Sequence, residues 1–187
     1  MLQVAGTVAI PLLLLFVTAQ RLAELVIARR NTRRLLVSEG YEIGQRHYPL
    51  LVVLHGLWLL TQWFWWLDGR ALWVPAAGLA YILLQPLRFW VMASLGRFWT
   101  TRIIVVPDAP LVRRGPYRYL THPNYLVVVM EIALLPLALG SWPLALAFSV
   151  ANALVLRIRL QAEAAGLNQR RLNQRFRGLA PGGGAGA

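Results

Sequence analysis

RRGPYRYLTHPNYLVVVMEI, residues 113–132, changes character halfway along, and its reading decides the class of fold. The first half is a basic turn bent at Gly115-Pro116 and carrying Tyr117, Tyr119 and His122. From Asn124 onward the residues are apolar enough for a membrane, yet Glu131 sits about two helical turns inside them. An ionisable group at that depth is costly unless it faces a partner, a cavity or a site. The stretch therefore reads as the polar lip of a hydrophobic helix, and the rest of the chain has to supply what answers Glu131.

Of the 187 residues 58% are hydrophobic and eight are tryptophan, with a mean hydropathy of +0.54. That exceeds ordinary soluble domains and predicts an all-α integral membrane protein. Five segments approach the roughly 20 residues a bilayer crossing needs: about 4–27, 49–67, 72–95, 124–139 and 144 into the 160s. The fourth is short for a full span. The N-terminal stretch has no basic region before it and reads as a first membrane helix, not a signal peptide. The tight turns DGRA and GSWP predict antiparallel hairpins of the second helix with the third and the fourth with the fifth. Residues 1–167 are expected to form one transmembrane unit whose last helix extends into the cytoplasm. Residues 168–187 form a basic, then Gly/Ala-rich tail, disordered at its end.

All 19 basic residues are arginine, against seven acidic ones, for a net charge of +12. Sixteen of them lie in the loop after the first helix, the loop before the fourth, or the chain's end, and only Arg70 lies on the opposite side. This bias places the N-terminus outside and the C-terminus in the cytoplasm. Arginines spread between apolar segments suit anionic headgroups of membrane lipids, not nucleic acid.

Several chemistries are excluded. Without cysteine there is no thiolate nucleophile or thiolate metal site, and His47, His55 and His122 show no metal-ligand spacing, so no metal is expected. GxSxG, P-loop and GxGxxG patterns are missing, so any cofactor has to sit among membrane helices.

The remaining intramembrane polar groups come in sets. Arg21 and Glu24 share a face of the first helix and read as a self-neutralising pair. His55 and Gln62 on the second read as an interhelical hydrogen-bonding device. Arg88, three residues after Gln85, needs an acidic partner, for which Glu131 is a candidate. Asn152, Arg159 and Glu163 form one polar stripe on the fifth helix, able to meet the Asn124–Glu131 face of the fourth just below the GPYRYLTHPNY turn. The turn offers aromatic faces from Tyr117, Tyr119 and Tyr125 and directional hydrogen bonds from His122 and Asn124, while Glu163 can take a ribose diol or an amino group. That inventory suits a nucleoside-containing, partly cationic small molecule. It equally suits an interfacial aromatic belt with a helix-starting Pro123.

GPYRYLTHPNYLVVVME followed by the Arg-to-Glu stripe resembles the isoprenylcysteine carboxyl methyltransferase family of integral membrane methyltransferases, over about residues 21–167. RRNTRRLL, HYPLLVVLH and LRFWVMASLGRFWTTRIIVVPDAPLVRRGPYRYL look like a prokaryotic branch associated with O-methylation of alkylpyrone or alkylresorcinol lipids. The resemblance implies S-adenosyl-L-methionine held by Val112, Arg113, Gly115, Tyr117, His122, Tyr125, Leu126 and Glu163. It implies Arg159 at the reaction centre, with Glu131 accepting a proton or balancing an arginine, and a methyl group passed to a carboxylate or phenol/enol oxygen of a lipophilic or prenylated acceptor on the cytoplasmic side. Asn152, Arg88 and His55 are the candidates to meet that acceptor. Thr121 stands where the family often has arginine, Ala164 where it commonly has a second acid, and the tail lacks the usual aromatic ending. The turn is partly shared with membrane sterol reductases, which leaves an NADPH-dependent reductase open, with Arg113, Arg114 and Arg118 for the extra phosphate. A non-enzymatic lipid-binding protein is the third reading.

Overall fold

The structure, a computed structural model, describes residues 2–38, 40–107, 109–110 and 112–179. Five helices account for most of it: α1 (Leu2–Val37), α2 (Tyr48–Leu67), α3 (Pro75–Leu95), α4 (Pro123–Ala138) and α5 (Trp142–Leu179). Two three-residue strands, β1 (Tyr41–Ile43) and β2 (Ile103–Val105), pair antiparallel with Glu42 opposite Ile104. The all-α expectation thus acquires a small sheet. Four helices are long and apolar enough to cross a membrane, while α4, with 16 residues, falls below a full span. At 1.5 Å per residue the 36 residues of α1 and the 38 of α5 reach well beyond a hydrocarbon core of about 30 Å. The basic start of the tail continues α5 as helix to Leu179, and the Gly/Ala-rich end falls outside the described residues.

The helices bury one stripe each and expose large apolar side chains on the other. On α1 the buried positions Ile10, Leu14, Val17, Glu24, Ala28, Asn31 and Leu35 keep to steps of three, four or seven residues, and Leu12, Leu15 and Leu22 point out. On α5, Leu146, Val150 and Leu154 are likewise outward at steps of four. Apolar faces of that extent have no aqueous explanation and mark an integral membrane protein. The short α4 is the packing centre: Ile132, Leu135 and Ala138, with Leu139 just past its end, meet Leu14 and Val17 of α1, Trp58 of α2 and Tyr81 of α3.

The two hairpins are tied at the end away from the arginine-rich loops. The Leu72 N–H donates to the Leu139 carbonyl (3.1 Å) and the Val74 N–H to that of Ala138 (2.9 Å). Gly140, at φ 72°, makes this contact possible, since a Cβ there stands 3.0 Å from the Leu72 backbone oxygen. At the other end β1 and β2 join the two arginine-rich loops, and Ile43 of β1 lies against Gly166 of α5. The side assigned from arginine counts is therefore one physical end of the molecule.

Candidate active site

Two polar assemblies emerge, and the sequence had merged them. The first lies inside the bundle, with only Arg21 partly exposed. Arg88 of α3 donates from Nε and Nη2 to the two Glu24 oxygens and from Nη1 to Glu131 Oε2 (2.6 Å). Arg21 reaches the same Glu131 oxygen from Nη2 (2.8 Å) and Glu24 from Nη1 (2.9 Å). Gln20 and Gln85 close the ring, bonding each other at 2.9 Å and reaching Glu24 and Glu131. Two guanidinium and two carboxylate groups cancel in charge, so the apolar interior holds no net ion. Arg21 and Glu24 are paired as expected, but the pair is not closed: it is the α1 half of a four-charge cluster. Gln20 was missed, although its spacing of four from Glu24 was available.

The second assembly forms at the arginine-rich end, where a cleft of about 540 Å³ lies between the 110–122 loop, β2, the first turn of α4 and α5 near residues 159–167. A one-turn 3-10 helix, Gly115–Arg118, sets its rim. It is anchored to α3 because Arg114 Nε donates to the Ser94 carbonyl (2.8 Å), and because Gly115, at φ 55°, lies against Ser94 and Trp90. A Cβ on Gly115 would overlap Ser94 Oγ. Gly115→Ala is therefore expected to cost about 1–3 kcal/mol and displace the rim, read as a lower melting temperature together with weaker ligand binding.

Within the cleft the Arg159–Glu163 part of the α5 stripe meets the start of α4, through Tyr125 and not through the expected Asn124–Glu131 face. The Tyr125 hydroxyl donates to Glu163 Oε2 (2.6 Å) and accepts from Arg159 Nε (3.0 Å). Arg159 Nη1 donates to the Thr101 carbonyl (2.7 Å), and the His122 and Tyr125 rings stack 5.2 Å apart with 12° between planes. Burial, with Tyr125 and the Glu163 carboxylate nearby, raises the Tyr117 phenol above its ordinary value, so that it serves as a neutral O–H group at physiological pH. Arg102 also lines the cleft but is engaged by both Glu42 oxygens, at 2.9 and 2.8 Å.

Of the residues singled out in the sequence, Val112, Arg113, Tyr117, His122, Tyr125, Arg159 and Glu163 line this cleft. Gly115 stands behind its rim. Leu126 does not line it: one residue past Tyr125 on the helix, it turns to the outside and is exposed. Glu131 and Arg88 lie outside it, with their polar atoms used on each other and on α1. His55 and Gln62 do not bridge helices. His55 Nδ1 is 2.9 Å from the Leu51 carbonyl and Gln62 donates to that of Trp58 (3.2 Å), each one turn back on its own helix. Asn152 is buried on α5 away from the cleft. Sequence reasoning missed Thr101, whose contribution is a backbone carbonyl and so leaves no side-chain signal, and Trp99 on the cleft wall. Among the described residues no three histidines or carboxylates cluster as a metal site requires.

Together these features define an integral membrane helical protein with a polar, arginine-edged cleft at one end of its bundle. The chain belongs to the isoprenylcysteine carboxyl methyltransferase (ICMT) family, whose model matches residues 76–169, the segment that holds α3, the loop, α4 and the Arg159–Glu163 turn of α5. A Bacillus subtilis (strain 168) protein, the uncharacterized protein YpbQ, is 35% identical over 171 residues, covering 84% of this chain and 96% of its own. An uncharacterized protein of Haemophilus influenzae is 23% identical over 156 residues, covering 81% and 91%. No solved structure matches the chain. Family membership points to a membrane methyltransferase, and methyltransferases of this family generally use S-adenosylmethionine.

Proposed function

We propose that the protein is an S-adenosylmethionine-dependent methyltransferase acting on an oxygen, carboxylate or phenol/enol, of a lipophilic acceptor at the membrane–cytoplasm interface. The observation that carries the reading is the Arg159–Tyr125–Glu163 cluster on the wall of the cleft, inside the segment the family model matches. The arginine-rich end is the cytoplasmic face on this reading, with the N-terminus outside.

The cleft suits a nucleoside bearing a cation. It offers the stacked His122–Tyr125 faces, the Tyr117 phenol and, among the described residues, a single carboxylate, Glu163. At its wall Asn124 Oδ1 and Trp99 Nε1 are buried without a hydrogen-bond partner, leaving polar capacity for a ligand to meet after a small adjustment. Val112, Arg113, Tyr117, His122, Tyr125 and Glu163 would hold the cofactor. When bound, it supplies an electrophilic methyl group on a sulfonium sulfur. The protein's own part is alignment and exclusion of water, because displacement at a methyl carbon needs little else once the acceptor oxygen is ionised. Glu163 accepts hydrogen bonds from ligand hydroxyl or amino groups. Arg159 faces the acceptor and offsets the charge on its oxygen. A lipid reaches such a site sideways from the bilayer while a polar cofactor enters from the water, which accounts for a cleft at the end of the bundle.

Equilibrium binding on purified protein tests the reading. S-adenosylhomocysteine is expected to bind and NADPH not to, and Glu163→Ala to weaken S-adenosylhomocysteine by at least about tenfold, the size of one hydrogen bond to a charged group. NADPH binding in its place converts the reading to a reductase, and unchanged affinity in Glu163→Ala removes the cofactor site from this cleft.

A further inference from the structure

Arg159 and Glu163 are four residues apart on α5, the spacing at which an arginine and a glutamate ordinarily pair across one helical turn. They do not pair here. Among the described residues neither forms an ion pair with the other, and the group between them is the Tyr125 hydroxyl, which accepts from Arg159 Nε and donates to Glu163 Oε2. We infer that Tyr125 is a positioning residue, a wedge that keeps the Arg159 guanidinium and the Glu163 carboxylate from neutralising each other, so that each stays available to a ligand group. The inference rests on the methyltransferase reading and deepens it: the carboxylate is kept for the cofactor and the guanidinium for an anionic acceptor oxygen.

Several constraints hold the wedge in place. Tyr125 lies in the first turn of α4, two residues after the buried Pro123 that starts the helix. Its ring is stacked on His122, and the Arg159 guanidinium stands 5.7 Å from its centroid. Arg159 is also drawn away from Glu163 by the Thr101 carbonyl at 2.7 Å, on the chain leading into β2. Without the hydroxyl, Arg159 keeps that single bond and Glu163 has no remaining hydrogen bond among the described residues. The two opposite charges then meet at a partly buried site, where they attract more strongly than in open water. Collapse of the pair would consume the one carboxylate on the cleft wall among the described residues.

The experiment is a cycle of S-adenosylhomocysteine affinities measured by calorimetry on wild type, Tyr125→Phe, Arg159→Gln and the double variant. Tyr125→Phe keeps the ring and its stack and is expected to weaken binding about tenfold. Adding Arg159→Gln to Tyr125→Phe is expected to recover several-fold of that loss, because it releases Glu163. A role in packing alone predicts no recovery. A double variant as weak as Tyr125→Phe, or affinity unchanged by Tyr125→Phe, overturns the inference and leaves the methyltransferase reading intact. In the wild-type background Arg159→Gln should leave affinity within about twofold, as expected for charges already held apart. A several-fold gain there means that Arg159 already holds Glu163, which overturns the wedge even where Tyr125→Phe does not fold. If wild type binds no S-adenosylhomocysteine at all, the underlying reading fails and the inference with it.

Discussion

Glu131→Ala is expected to be the most damaging single substitution in the membrane-embedded part, lowering stability by about 3–5 kcal/mol, the cost of removing one partner of a buried ion pair. Glu131 is 1% exposed and its Oε2 receives both Arg88 Nη1 and Arg21 Nη2. Alanine leaves two guanidinium groups facing one carboxylate, Glu24, in a largely apolar interior. A protein with a total stability of about 5–15 kcal/mol does not absorb such a loss easily, so poor accumulation in membranes and a much lower melting temperature in detergent are expected. Glu131→Gln, which keeps the shape and one acceptor, should fall between. Replacing Arg21, Glu24, Arg88 and Glu131 together by apolar residues of similar volume should cost less than Glu131→Ala alone, since no charge is then stranded. Because Glu131 lies outside the cleft, S-adenosylhomocysteine affinity per folded molecule should not change. A Glu131→Ala protein that melts like wild type but has lost methyl transfer would show instead that the carboxylate serves the reaction.

Why sequence reading brought some polar residues together as the structure does and merged or separated others follows from what helical spacing can say. Positions 159 and 163 fix a shared face of α5, and the GSWP turn folds α4 back against it, so a meeting with the start of α4 was legible, although the residue that makes it is Tyr125 and not the Asn124–Glu131 face. Spacing names a face but not the neighbour. Arg21 and Glu24 looked self-sufficient because nothing in α1 reveals that α3 and α4 bring a second, complementary pair to the same level. His55 and Gln62 share a face, yet each side chain found a carbonyl one turn back, a local solution that spacing cannot separate from an interhelical one. The strands were invisible for another reason. YEI and IIV are three residues each, joined by no hairpin turn and about 60 residues apart, so no periodic pattern marks them. They are nonetheless the element that holds the Thr101 carbonyl against Arg159. Leu126 was carried over from the family motif, whereas the helical turn itself places the residue after Tyr125 outside the cleft.

The largest effect on chemistry is expected from Arg159→Gln, with methyl transfer reduced about 10²–10³-fold, the loss typical of a group that stabilises a developing or bound oxyanion. Its guanidinium is oriented from two sides, Nε by the Tyr125 hydroxyl and Nη1 by the Thr101 carbonyl, and no partner within the protein engages Nη2 among the described residues. That arrangement spends two donors on aim and keeps the rest for the acceptor. Lysine has the charge but a single donor centre, which cannot satisfy the tyrosine and the carbonyl together and still reach an acceptor in the same geometry. Arg159→Lys should therefore recover only part of the activity, about tenfold above Arg159→Gln. The measurement is mass spectrometry of lipids methylated in membranes that contain wild type, Arg159→Lys or Arg159→Gln, normalised to folded protein. Cofactor-side binding supplies the control: S-adenosylhomocysteine affinity should stay within about twofold of wild type in Arg159→Gln, because the guanidinium acts on the acceptor and Glu163 on the cofactor. Full transfer by Arg159→Gln would move the reaction centre elsewhere in the cleft, and an equal loss of binding and transfer would place Arg159 on the cofactor instead of the acceptor.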